Sequence, residues 1–184
     1  MTSLASKQRG VFSIELSIIL IGFALLIVFT MDVVTKQSVK GKLDRLSYSL
    51  VSLLKERTQL FDGSATLSRN EVNAALSLAQ YSLRSTMGSF DASRLGLMIE
   101  QQQFNSEQAP TPAINGLHVF RAGEYACEPS ERLSTKTDLS PITNFGNRLA
   151  LYQVTLCYKT NNLFGSLVGK QWELTSSTSL SIGR

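Results

Sequence analysis

Glu15 is the residue of this chain whose type and place most need a chemical reason. It is the only charge in Val11–Met31, a 21-residue run reading VFSIELSIILIGFALLIVFTM. A carboxylate inside a bilayer costs up to about 2.5–3.5 kcal/mol at the centre and less near the edge. It falls five residues after Gly10, counting Val11 as the first. The other chemistry-bearing residues are few. A single histidine and two cysteines in 184 residues cannot build a His-rich zinc site or a four-cysteine cluster. A Ser-His-Asp triad would have to use His118, and no G-x-S-x-G elbow is present. His118 stands in LHVFR without a second ligand nearby, so it reads as an ordinary strand residue. Asp138 and Asn144, in DLSPITNFGN, do not have the spacing of a calcium loop. Trp172, Tyr152 and Tyr158 read as core or interface residues in strands. No catalytic constellation emerges, and an enzyme, a metal and a cofactor are not expected.

Cys127 and Cys157 form no C-x-x-C, which argues against a thioredoxin-like motif or a zinc knuckle. Two readings remain. If the domain holding them lies outside the cytoplasm, a disulfide closes a loop of about 30 residues and stabilises by roughly 3–4 kcal/mol. In a cytoplasmic domain they would be two buried thiols.

The elements that must position these residues follow from hydropathy. Lys and Arg number 18 against 14 acids, a net charge of +4 with no run of five like charges, so nucleic acid is not an expected partner. The Val11–Met31 run spans roughly 30 Å as a helix, the thickness of a hydrocarbon core, and reads as a transmembrane helix. In front of it, MTSLASKQRG holds Lys7 and Arg9 and no acid. Lys36, Lys40, Lys42 and Arg45 follow it, so counting positive charges leaves the orientation open. Val39, Leu43, Leu46, Leu50, Leu53 and Leu60 then mark an apolar seam on a continuing helix, with Gly41 as a candidate hinge. No proline precedes Pro110, so one helix of about 50 residues is expected from Val11 to Leu60. A turn at Phe61–Ser64 ends it.

Ser68 and Glu71 have capping-box spacing, and Val72, Ala75, Leu76, Ala79, Leu83 and Met87 predict a second amphipathic helix over about 69–87. The strand candidates are Leu95–Phe104, Leu117–Arg121, Leu149–Lys159 and Gln171–Ile182, and all four prolines fall in the loop-rich stretch between Pro110 and Pro141. The expected fold class is α+β: a long N-terminal transmembrane and amphipathic helix, a second helix, then a small antiparallel sheet. The expected divisions are 1–10, 11–31, 32–60 and a head over 61–184.

A short basic leader, RG-VFSIE and an unbroken apolar helix together resemble the type IV pilin signal. More of the chain, including GKLDRLSYSLVSLLKERTQLF, the late YQVTLCYK and the ending SSTSLSIGR, is similar to the TadE/TadF-like group of minor pseudopilins of the tight-adherence (Flp) pilus system. The similarity covers the first 61 residues best and the last 35 or so moderately. It implies a pilin-like fold and cleavage by prepilin peptidase between Gly10 and Val11, after a leader carrying Lys7 and Arg9. It also implies that Glu15 registers the subunit among its neighbours, where it could neutralise a new amino terminus in low dielectric. The implied setting is a single pass through the bacterial inner membrane, N-terminus cytoplasmic and head periplasmic, with other pilin subunits and the assembly platform as partners. The implied role is in pili used for surface adherence and biofilm formation. Major Flp pilins commonly have Glu-Tyr at the signal and are far smaller; here Leu16 follows Glu15, as suits a minor subunit. Two alternatives remain beside this one: a minor pseudopilin of a type II secretion or type IV pilus system, and an uncleaved membrane-anchored scaffold or receptor domain.

Overall fold

The computed structural model describes residues 5–56, 66–105, 107–114 and 116–183, and the side chains of the first helix from Phe12 onward. That helix, α1, runs without a break from Ala5 to Lys55. It passes straight through Gly41, so the candidate hinge is not a break in the helix. It also takes in the second half of the leader. Leu60 and the expected turn at Phe61–Ser64 lie outside the described residues.

The chain divides into two compact units, and the division is not linear in sequence. Residues up to Gln37 group with Asn161–Glu173; Ser38–Thr160 group with Leu174–Arg184. Within the first unit, the ring of Phe29 meets that of Phe164 edge-on at 5.0 Å, and Phe164 lies 6.1 Å from Trp172. These aromatic contacts bring the Asn161–Glu173 segment to the apolar half of α1. The segment holds a short helix, Leu163–Leu167, labelled α3 below.

In the second unit, the helix α2 (Arg69–Thr86) begins where the capping box places it. The Ser68 hydroxyl accepts from the Glu71 N–H, and the Ser68 N–H donates to the Glu71 carboxylate at 2.6 Å. Two free amides of the first turn are thereby satisfied. At the other end, Lys42 on α1 donates to the Thr86 carbonyl at 2.8 Å, a cation where the helix dipole favours one.

Four antiparallel strands follow: β1 (Leu95–Gln102), β2 (Val119–Gly123), β3 (Leu151–Lys159) and β4 (Leu174–Ile182), in the order β2-β1-β3-β4. Alternation sends Leu95, Leu97 and Ile99 of β1, and Tyr152, Val154, Leu156 and Tyr158 of β3, to one face. There they form a core with Val39, Leu43, Leu46, Leu50, Val51 and Leu54 of α1 and Val72, Ala79 and Leu83 of α2. The apolar seam holds as far as Leu50 and then drifts: Leu54 is 8% exposed, whereas Leu53 is 50% exposed. A straight helix has 3.6 residues per turn, so a strict 4-3 spacing drifts by about 20° per heptad, and the buried face passes to Val51 and Leu54 while Leu53 falls at its edge.

The second sheet face is buried as well, because the stretch after β2 folds back over it. Gly96 and Gly123 face each other across β1 and β2. A Cβ at Gly96 would collide with the Tyr125 carbonyl, and one at Gly123, where φ is +89°, with the Leu95 carbonyl. Both glycines let backbone lie directly on backbone.

β1 starts at Leu95 as its sequence pattern does, whereas the other three strands start later than theirs. Leu117 and His118 belong to a turn in which the Ile114 carbonyl accepts from three successive amides, so β2 starts at Val119. His118 is therefore not in the strand; it is buried, with Nδ1 facing the Ile114 N–H at 3.5 Å. Trp172 likewise precedes β4, drawn into the cluster with Phe164, and is not a strand residue.

Candidate functional site

The apolar half of α1 carries the sequence-derived site. Gly10 and Val11 lie in continuous helical backbone; their side chains, and those of Lys7 and Arg9, lie outside the described residues. Glu15 is exposed and has no hydrogen-bond or ion-pair partner among the described residues. From Phe12 to Met31 nearly every large apolar side chain is exposed. Two hydroxyls within this stretch bond locally: Ser17 donates to the Ser13 carbonyl at 2.8 Å and Thr30 to the Leu26 carbonyl at 2.7 Å. Apart from Glu15, a helix that returns such hydroxyls to its own backbone and turns apolar side chains outward is suited to an apolar solvent. It is the one described helix long and apolar enough to cross a membrane.

The run ends at Asp32, which is buried and paired with Lys36 at 2.6 Å. Lys36 also lies over the Trp172 ring, 5.9 Å from its centroid. Sequence reading passed over this pair, although its i, i+4 spacing was a usable signal.

Further along, α1 meets β4 through polar groups. Ser47 exchanges hydrogen bonds with Ser177 at 2.9 Å and Ser179 at 2.8 Å, and Ser177 donates to Asp44 at 2.6 Å. Lys40 reaches both the Asp44 carboxylate and the Ser176 carbonyl. Burial alone would raise the Asp44 pKa. The hydrogen bonds from Ser177 and Lys40, with the Lys40 charge, outweigh burial and hold it below the usual aspartate value.

On the opposite sheet face, Cys127 and Cys157 are joined as a disulfide with a Cα–Cα separation of 5.5 Å. On the same face, four residues along β1 from Gly96, the strand partner of Cys157, lies a carboxylate that the sequence did not mark. Glu100 is 4% exposed, accepts from Gln153 Nε2 at 3.0 Å and the Leu133 N–H at 3.4 Å, and has Arg132 at 3.6 Å. Burial raises its pKa; the Leu133 amide and the charges of Arg132 and Arg121 offset only part of that. The network fastens the loop to the sheet. Among the described residues there is no cluster of three or more His, Cys, Asp or Glu able to hold a metal.

An exposed apolar helix that continues into the core of a small α+β head is the arrangement of a head domain on a helix long and apolar enough to anchor it in a membrane. The sequence matches the model of the TadF family, described as "Putative tight adherence pilin protein F", over residues 3–184, and the chain belongs to that family. No curated protein matches it, and no solved structure does.

Proposed function

We propose that the chain is a minor pseudopilin of the tight-adherence (Flp) pilus. In this reading prepilin peptidase cleaves it between Gly10 and Val11, and it is needed to assemble pili for surface adherence and biofilm formation. It is a structural subunit, not an enzyme, and makes a single pass through the bacterial inner membrane with the leader cytoplasmic and the head periplasmic. Its partners are the peptidase, other pilin subunits and the assembly platform. The observation that carries the reading is Glu15: a carboxylate on an exposed apolar helix, five residues past Gly10, in a chain of the TadF family. A charge there without a partner among the described residues gains most from a cation supplied by a neighbouring subunit.

The test is the N-terminus of protein purified from membranes with and without co-expressed prepilin peptidase. A start at Val11 that depends on the peptidase is expected. Gly10→Val is expected to block cleavage, and Glu15→Ala to permit some cleavage while impairing incorporation into pili. An N-terminus unchanged by the peptidase, or normal pili with Gly10→Val, would overturn the proposal and leave an anchored domain.

A further inference from the structure

We propose that Asn161–Glu173 is a second membrane contact, a shallow loop seated in the lipid interface beside the transmembrane helix. The inference rests on α1 spanning a bilayer. The loop carries four exposed apolar side chains in ten residues: Leu163 (57%), Leu167 (63%), Val168 (47%) and Trp172 (46%). Single exposed apolar residues need no explanation, but a group of them on one short loop does.

Its height along α1 identifies what covers it. Phe164 packs on Phe29, three residues inside Asp32, and Trp172 packs with Lys36, four residues beyond it. At about 1.5 Å per residue, the loop spans from roughly 4–5 Å inside the first charge to roughly 6 Å outside it. That interval matches the headgroup and upper-chain zone, where an apolar face enters by about 5–10 Å and where Trp concentrates. The apolar surface is thus continuous with that of the span, and lipid that wets Phe29 wets the loop.

The loop's polar groups suit the same solvent. The Asn162 amide donates to the Lys170 carbonyl at 2.7 Å, the Lys170 N–H returns to the Gly165 carbonyl at 2.8 Å, and the Val168 N–H reaches the Phe164 carbonyl at 3.2 Å. These pairings lower the cost of bringing this part of the backbone into the headgroup zone, where the remaining amides still meet water. Asp32 is neutralised by Lys36, and the exposed Lys170 is placed to meet lipid phosphate.

Trp172 is the only tryptophan in the chain, so the native protein reports on itself. The full chain is reconstituted at high dilution in phosphatidylcholine–phosphatidylglycerol vesicles brominated either near the glycerol end or near the methyl end of the acyl chains. Expected results are a blue-shifted emission and loss of intensity with the near-glycerol bromines, exceeding the loss with the methyl-end bromines. Leu167→Glu with Val168→Glu should shift the emission back to the red and lessen the quenching. A second probe, Phe23→Trp with Trp172→Phe, reports on the span alone and should be quenched most by the methyl-end bromines. If that probe is quenched and Trp172 is not, the loop contact is overturned while the span stands; if neither is quenched, the span fails first. Protection of Trp172 from acrylamide that grows with protein density, without bromine quenching, would assign the loop to a neighbouring copy and also overturn the proposal.

Discussion

Opening the Cys127–Cys157 bridge should cost the head a large share of its stability, and the size of the loss can be worked from the structure. The bonded cysteines are 30 residues apart in sequence. Closing a loop of that length removes unfolded-state entropy corresponding to roughly 3–4 kcal/mol. The unit containing the bridge has about 130 residues. At about 2.1 cal/mol/K per residue its unfolding entropy is near 0.28 kcal/mol/K, so Tm should fall by roughly 10–15 °C. The loss should also be local first, because Tyr125 and Cys127 lie directly on Gly96, where no side chain holds them apart.

The assay is thermal unfolding of the detergent-solubilised full chain, oxidised, reduced, and as the Cys127→Ala/Cys157→Ala pair. Reduction and the double substitution should lower Tm by similar amounts, since the entropic term depends on the missing bond and not on the sulfur atoms. Hydrogen exchange should then quicken at the Lys136 and Leu139 amides of the covering loop before it does so in α2. A Tm that moves by less than about 2 °C on reduction would refute the argument. Such a result would mean that the loop is held by the Glu100 network and its own packing.

Three further outcomes follow from particular contacts. Leu54→Ala is expected to destabilise the head by about 2–4 kcal/mol and Leu53→Ala by less than about 1 kcal/mol, measured by denaturant unfolding; equal losses would put the seam on the wrong residues. Gly123→Ala should cost at least about 2 kcal/mol, because φ is +89° and the Leu95 carbonyl blocks a Cβ; a neutral result by the same assay would contradict that packing. The raised Glu100 pKa makes the folded state bind a proton more tightly than the unfolded chain does. Its contribution is therefore fully present below the ordinary value of 4.5 and lost as pH rises through the higher folded value. Head stability should thus gain on acidification toward 4.5, and Glu100→Gln should flatten that part of the curve. Asp44 acts in a separate window, as does Asp91, which the hydroxyl and N–H of Ser93 hold below the usual aspartate value just before β1: their lowered values give stability that is lost only as pH falls below 3.8.

Local chemistry was legible; of the long-range contacts only the Cys127–Cys157 pairing was, as one of two readings. Ser68 and Glu71 announce the start of α2 because both partners of the cap lie within one turn. The β3 pattern was clear because its two faces pack against different things, helices on one side and the loop on the other. Strand starts were read early wherever a turn took the backbone groups first: the Leu149 amide bonds to the Pro141 carbonyl, and β3 begins only at Leu151. Trp172 looked like strand because an apolar aromatic next to a Ser/Thr run fits the period, yet contact with Phe164, eight residues earlier, decided its place. Glu100 gave no signal at all. Its partners come from β3 and from a loop more than 30 residues away, and a glutamate in a strand is ordinary until something covers it.

The polar contacts between α1 and β4 explain why the helix and sheet meet in one register. An apolar seam alone tolerates sliding, since a leucine displaced by one helical turn still finds leucine-sized space. Ser47 does not tolerate it. Its hydroxyl lies between Ser177 and Ser179, and Asp44 one turn earlier takes the Ser177 proton. Moving the helix by one turn, about 5.4 Å, would leave the buried Ser47 hydroxyl unpaired, at about 1–3 kcal/mol, and would take the half-exposed Asp44 away from Ser177. Lys40 adds a contact to the Ser176 carbonyl on an edge strand, where lysine also discourages pairing with a foreign strand. The serines that made the C-terminal stretch look merely polar are the groups that hold the helix at one offset along the strand.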